Sequence, residues 1–160
     1  MQAPSKLHAL IAALRADGGD VDVLPPEDAE HVARQSRLEA AFPFAPWGRI
    51  DWPRVPGAAI VRTEDPDRLV EQIRTWVREI GDGGERVGVM WSDGLMPMLV
   101  IPISAAANHA EEIVMVAWDA WIFPEDARWC IEHYHEGELC LGTRRIEIRG
   151  IDAPDSASPG

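Results

Sequence analysis

Cysteine and long hydrophobic stretches are both scarce in this 160-residue sequence. Two cysteines are too few for the disulfide scaffold that stabilises many small secreted domains. The most apolar stretch, GLMPMLVIPI at 94–103, is about half as long as a membrane-spanning helix and contains two prolines. The N-terminal residues lack the continuous apolar region of a signal peptide. These absences predict a soluble protein of the cytoplasm.

Basic residues are also few, since 15 lysines and arginines stand against 27 aspartates and glutamates, for a net charge of −12. Such a chain repels the phosphate backbone of nucleic acids and the anionic surface of membranes. We therefore expect neither of them as a partner. The same charge attracts a basic protein through long-range electrostatic steering, so a basic protein partner is expected instead.

The common motifs of catalysis and cofactor binding are missing as well. The sequence has neither a phosphate-binding loop with its lysine nor a G-x-S-x-G motif. The glycine-rich GDGGERVG, at 81–88, follows a predicted helix and begins a predicted strand, which reverses the order found in a dinucleotide-binding unit. No catalytic residue and no cofactor are predicted from these patterns.

What the sequence does contain is a helical first half and a strand-rich second half. Apolar residues at helical spacing predict three helices, at 5–16, 27–41 and 66–80. A strand is predicted at 58–62, before the third helix. After Gly84 every apolar segment has strand character, including EIVMVAW at 112–118.

This order of elements predicts an α+β fold in one domain that spans 1–150. In it, N-terminal helices pack on one face of a largely antiparallel β-sheet formed mainly by residues 86–149. Residues 151–160, IDAPDSASPG, have the composition of a disordered tail.

The segment FPFAPWGRIDWPRVPG, residues 42–57, combines four prolines with two phenylalanines and two tryptophans. The prolines exclude a regular helix, and the aromatic residues argue against a solvated linker. We favour a connection that lies over the core and closes one edge of it, because exposed apolar patches of that size are uncommon. A binding loop is the alternative.

The stretch WCIEHYHEGELC, residues 129–140, brings cysteine, histidine and glutamate together in a predicted hairpin. A two-residue turn would place His133 opposite Cys140 and His135 opposite Glu138, a ligand set that zinc accepts. A three-residue loop at 136–138 would instead place His135 opposite Leu139 and His133 opposite Leu141. We favour the three-residue loop because it gathers the apolar residues on one face.

Two hypotheses on function follow from this hairpin. The favoured register leaves no metal site and no facing cysteine pair, and it predicts a core hairpin with an acidic tip. The alternative is a metal-dependent enzyme that uses His133 and His135 with a nearby glutamate or cysteine as ligands or as acid and base.

Carboxylates lie near aromatic residues from residue 118 onward, and aromatic anchors ringed by acidic groups suit the capture of a basic protein. A core strand with solvated turn carboxylates would produce the same pattern. The predicted partner-binding residues are Asp119, Trp121, Glu125, Asp126, Glu132, His135, Glu136 and Glu138.

Residues 119–142, DAWIFPEDARWCIEHYHEGELCLG, resemble the C-terminal sheet of small bacterial immunity-type proteins. In those proteins, an aspartate and a tryptophan precede a strand that ends in a His-Glu pair and a glycine. The resemblance implies a cytoplasmic, non-enzymatic, acidic α+β protein that binds and neutralises a cognate basic toxin domain.

Overall fold

In the computed structural model, which describes residues 3–144, the chain forms five α-helices and seven β-strands. The helices are α1 (Ala3–Ala16), α2 (Ala29–Ala41), α3 (Pro66–Ile80), α4 (Ile103–Asn108) and α5 (Ala110–Val116). The strands are β1 (Asp22–Leu24), β2 (Ala59–Arg62), β3 (Arg86–Trp91), β4 (Met98–Pro102), β5 (Ala120–Pro124), β6 (Trp129–Tyr134) and β7 (Glu138–Thr143). The predicted strand within 145–149 and the predicted tail 151–160 lie outside the described residues.

All seven strands belong to one sheet, in the order β1-β4-β3-β5-β6-β7-β2. Every pair of neighbours is antiparallel. The second half of the chain supplies the five central strands, and the first half supplies the two edge strands, β1 and β2. The predicted α+β fold with a largely antiparallel sheet is confirmed.

One face of the sheet is covered by α1, α3, α4 and α5. Leu10 from α1, Ile73 from α3 and Ile113 from α5 are almost completely buried in a core that includes Val87 and Ile131 of the sheet. This face holds the larger of the two hydrophobic cores. None of the helices within residues 3–144 is long and apolar enough to cross a membrane.

The opposite face is covered by α2 and the proline-rich segment 42–57. Leu38, Ile50 and Trp52 are buried there against sheet residues such as Phe123. The helices are therefore divided between the two faces. The segment 42–57 lies over the core, as predicted, and it covers part of a face rather than one edge.

The prediction of a strand at 112–118 is wrong, because helix α5 occupies most of this segment. Ala110, Ile113 and Val116 lie three residues apart and are buried, whereas Glu112 and Met115 are exposed. That burial pattern is the one expected of a helix that packs one side on a sheet. The helix ends at Val116 and β5 begins only at Ala120, so residues 117–119 do not alternate between two faces as strand residues would.

The hairpin of β6 and β7 has a three-residue loop at 135–137, with Tyr134 opposite Glu138 and His133 opposite Leu139. The predicted pairing of His133 with Leu141 is wrong, and so is the two-residue turn. The predicted faces are nevertheless confirmed, because a shift of two residues leaves each side chain on the same face. Gly137 closes the loop with a φ of 81°, and its N–H donates to the Tyr134 carbonyl.

Candidate functional site

The predicted partner-binding residues are distributed over two opposite ends of the sheet and its interior. Asp119 precedes β5 and Glu125 follows it, and a five-residue strand separates its ends by roughly 17 Å. We call the end formed by the loops 92–97, 117–119 and 135–137 the His135 end. We call the other end, with the loops 81–85 and 125–128, the arginine end. The structure brings Asp119, His135, Glu136 and Glu138 to the His135 end, and Glu125 and Asp126 to the arginine end.

The remaining two predicted residues, Trp121 and Glu132, are buried in the core, with 4% and 0% of their surface exposed. The alternation along β6 places Glu132 on the sheet face away from α1 and α3, as expected. The prediction assumed that this face meets solvent, whereas the segment 42–57 covers it. Neither side chain reaches the surface, so both are removed from the candidate site.

Glu132 has a structural task, which is to hold the segment 42–57 on the sheet. Its Oε1 accepts hydrogen bonds from Arg49 Nε at 2.8 Å and Trp52 Nε1 at 2.9 Å, and lies 2.7 Å from Arg49 Nη2. Its Oε2 accepts from the Ile50 N–H at 2.9 Å and from Trp121 Nε1 at 2.8 Å. A buried carboxylate is tolerated only with such a full set of donors.

Arg49 extends this network to the surface. Its Nη2 lies 2.7 Å from Glu138, whose other oxygen accepts from Arg62 Nε at 2.8 Å. Burial tends to raise the pKa of Glu138, but the hydrogen bonds from Arg49 and Arg62 outweigh it and lower the pKa below its ordinary value. The Arg49 guanidinium also lies 4.0 Å above the Tyr134 ring. Glu138 is therefore an ionised structural residue at the edge of the His135 end.

The two cysteines are free and buried, and Cys130 stands opposite Gly142 rather than Cys140. Burial, together with the charge of Glu132, raises the pKa of Cys130 well above its usual range. Burial and the charges of Glu138 and Glu132 raise the pKa of Cys140 to about 12. Both thiols are protonated at neutral pH, and a protonated thiol is neither a nucleophile nor a metal ligand.

The histidines of the hairpin are not gathered with acidic residues or thiols into a ligand set. Between residues 3 and 144, no group of three or more His, Cys, Asp or Glu side chains has a geometry that would hold a metal ion. His135 lies in the hairpin loop, while His133 lies on the strand beside Leu139. The arrangement offers no support to the metal-dependent alternative.

His135 is held in place by its neighbours at the end of the sheet. Asp119 Oδ1 accepts a hydrogen bond from the His135 backbone N–H at 2.9 Å and lies 2.8 Å from its Nδ1. The ring centroid of His135 lies 4.7 Å from that of Trp118 and 4.3 Å from that of Tyr134. Trp118 is 71% exposed, so a large aromatic surface beside the His135 ring is presented to solvent.

Below this aromatic surface lies a groove of about 810 Å³. Its lining includes Met115, Trp118, Asp93 and both histidines. Burial lowers the pKa of His133, with the charge of Asp119 opposing the shift and that of His135 adding to it. The Nδ1 atom of His133 is buried and has no hydrogen-bond partner among residues 3–144. The groove therefore combines exposed apolar groups with a neutral imidazole that has an unused hydrogen-bonding atom.

The sequence prediction missed Trp118 and Met115 as site residues. With 112–118 predicted as a strand, alternation alone does not decide whether Trp118 faces the core or solvent. The three-residue spacing of Ala110, Ile113 and Val116 was the signal that would have revealed the helix, and with it the exposure of Met115.

A seven-stranded sheet covered on both faces, with an exposed aromatic groove at one end, defines a small α+β protein. Residues 11–142 match the family described as CdiI immunity protein, EcoliA0-like. The chain belongs to this CdiI immunity protein family, and the resemblance to bacterial immunity-type proteins is confirmed. The matched region runs from within α1 to within β7, so it includes the groove and both covered faces. None of the curated proteins gives a significant match.

Proposed function

We propose that this immunity protein binds the toxin domain it neutralises through the His135 end of the sheet. The observation that carries the proposal is the exposed side chain of Trp118, which lines the groove beside the His135 ring. Tryptophan is enriched among the residues that dominate protein–protein affinity. A monomeric protein rarely exposes such a ring beside another large apolar side chain, here Met115, without a partner.

The His135 end is also ordered before the partner arrives. Asp119 fixes the backbone and the ring of His135, and the two neighbouring aromatic rings confine it further. Less side-chain freedom is then lost on binding, which favours a tight complex. In this proposal Asp119 positions His135, and His135, Glu136 and Trp118 contact the toxin.

The charge of the protein supports a basic toxin domain as the partner. The net charge is −12, and the His135 end includes Asp93 and Glu136 as exposed carboxylates. Charges of this sign raise the association rate with a basic partner, and salt reduces that gain. We propose the cytoplasm as the compartment, and binding that blocks the toxin without any chemical step.

The test is the affinity for the C-terminal domain of the toxin encoded beside this protein, measured with Trp118→Ala and Trp47→Ala. Trp47 is 72% exposed and lies in the segment that covers the other sheet face, so the two variants remove equal aromatic area. We expect Trp118→Ala to weaken binding by at least about 2 kcal/mol, or about 30-fold in Kd. We expect less than a threefold change for Trp47→Ala. An equal effect of the two variants, or none of either, would overturn the proposed surface.

A further inference from the structure

The arginine end holds an unusual concentration of positive charge for so acidic a protein. Among residues 3–144, a cavity of about 840 Å³ is lined there by five of the chain's 15 basic residues and by three carboxylates. The basic residues are Arg34, Arg37, Arg86, Arg128 and Arg144, and the carboxylates are those of Glu85, Glu125 and Asp126. Among these lining residues arginines outnumber carboxylates by five to three, although the chain as a whole has a net charge of −12.

Arg34 is the most informative of these residues because it is 95% buried. It lies in α2 one turn before Leu38, on the side of the helix that packs into the core. Its Nε and Nη2 each lie 3.1 Å from Glu30 Oε1. Its Nη1 is buried and has no hydrogen-bond partner within the described part of the chain. A buried guanidinium donor without an acceptor is costly and uncommon, and here it belongs to a residue that lines the cavity.

Two arginines of the cavity are fully engaged by local carboxylates. Arg128 bonds Glu85 at 2.6 and 2.9 Å, and Arg86 lies 3.1 Å from both Asp20 and Asp22. These pairs keep the wall of the cavity in place.

The other two arginines are less engaged. Arg37 reaches the Glu125 carbonyl at 3.2 Å and its carboxylate only at 3.7 Å. Arg144 is fixed by its backbone N–H, which donates to the Arg128 carbonyl, and its side chain forms no ion pair within residues 3–144. Arg37, whose ion pair with Glu125 is long, and Arg144 are thus the least engaged guanidinium groups of a cavity that Arg34 also lines.

We propose that this cavity is a binding site for a phosphate group. The planar, permanently charged guanidinium forms paired hydrogen bonds to phosphate oxygens, and arginine is favoured wherever that geometry matters. A phosphate oxygen would accept a hydrogen bond from Arg34 Nη1, and the negative charge of phosphate would balance the charges of Arg37 and Arg144. The polyanionic backbone of nucleic acid is a poorer candidate, because the rest of the surface repels it. The source is therefore a free phosphate or a small phosphorylated molecule.

The site lies at the opposite end of the sheet from the surface proposed for the toxin. Its test uses the isolated immunity protein, so a negative result would leave the toxin-binding proposal untouched. The thermal unfolding midpoint and calorimetric binding are measured with sodium phosphate, sodium pyrophosphate and sodium acetate. Sodium chloride at the same ionic strength corrects for the general screening of an acidic protein.

We expect phosphate to raise the unfolding midpoint above that in chloride, and to bind with one-to-one stoichiometry. Arg144→Gln and Arg34→Met are expected to weaken phosphate binding by roughly tenfold or more, because each removes a charge-assisted hydrogen bond. Arg54→Gln is the control, since Arg54 is exposed and lies outside the cavity. A larger response to pyrophosphate than to phosphate would identify a phosphorylated metabolite as the natural ligand.

Arg37→Gln provides a second rim variant if Arg34→Met does not fold. Equal shifts in phosphate and chloride would overturn the site, and so would binding that survives Arg144→Gln and Arg37→Gln together. An equally strong response to acetate would assign the cavity to carboxylates and reject phosphate.

Discussion

Glu132→Gln is the substitution that most directly tests the buried network beneath the proline-rich segment. Glutamine has nearly the same shape as glutamate, so the change removes the charge and two acceptor sites without opening a cavity. In the folded protein Glu132 accepts from two indole N–H groups, one backbone N–H and the Arg49 guanidinium. The expected result is a large loss of stability in a protein that still folds.

The magnitude follows from which donors glutamine can no longer satisfy. The glutamine carbonyl oxygen replaces one carboxylate oxygen and keeps its hydrogen bonds. The NH₂ group replaces the other carboxylate oxygen and cannot accept from the two N–H donors that were bonded to it. Each buried donor left without an acceptor costs about 1–3 kcal/mol. Arg49 keeps Glu138 as a partner, so its charge is not stranded. With two such donors, we expect the free energy of unfolding to fall by about 2–6 kcal/mol.

The assay is urea denaturation followed by tryptophan fluorescence, since the indoles of Trp52 and Trp121 both donate to Glu132. Glu136→Gln is the matched control, because Glu136 is exposed in the neighbouring loop and should change stability by less than about 0.5 kcal/mol. A loss below about 1 kcal/mol for Glu132→Gln would refute the reasoning. So would weaker toxin binding by the folded variant at unchanged stability, because Glu132 would then act at the interface.

Three further results are expected. Burial lowers the pKa of His133, so between that pKa and about 6.5 the unfolded chain binds more protons and the free energy of unfolding falls as the pH drops. Urea denaturation at pH 7.5 and 5.5 should show a smaller fall for His133→Gln than for the unmodified protein, and an equal fall would contradict the assignment. Burial raises the pKa of Cys140 to about 12, so at pH 8 only about one thiol in 10,000 is ionised. A disulfide reagent should therefore label Cys140 only after unfolding, and rapid labelling of the native protein would contradict this. Gly137→Ala should destabilise the protein more than Gly18→Ala, because both residues have positive φ but only at Gly137 would a Cβ lie 2.6 Å from the Thr63 carbonyl oxygen. If thermal denaturation shows equal losses of stability for the two variants, the Thr63 carbonyl moves away without cost and the reasoning is wrong.

Local patterns in the sequence were sufficient for the elements that are stabilised locally. Helix α3 is predicted at 66–80 and found at Pro66–Ile80, because its apolar stripe is continuous and Asp65 caps it through the Asp67 N–H at 3.0 Å. The faces of β6 and β7 are also predicted, since alternation alone assigns them. Alternation does not determine the register between the two strands, because a shift of two residues leaves every side chain on the same face of the sheet. The Thr63 N–H donates to the Gly137 carbonyl at 3.0 Å, and no local pattern indicates this bond between distant parts of the chain.

The candidate site was harder to predict because it depends on what covers the second face of the sheet. The sequence shows that segment 42–57 is apolar, but not that Arg49 and Trp52 converge on Glu132. Without that knowledge, a glutamate on the face away from the helices is assigned to the surface. Trp118 was missed for a simpler reason: the segment before it was predicted as a strand, since α5 is only seven residues long and rich in residues that favour strands.

The attachment of segment 42–57 to Glu132 also has a consequence for the order in which the chain folds during synthesis. Arg49 and Glu132 are 83 residues apart, so the ribosome completes the segment long before β6 emerges. Until then Phe42 and Trp52 have no sheet to cover, and their aromatic rings remain accessible to chaperones and to other nascent chains. We therefore expect the second hydrophobic core to close only after β6 has been made, because Glu132 takes donors from a segment about 80 residues earlier in the chain.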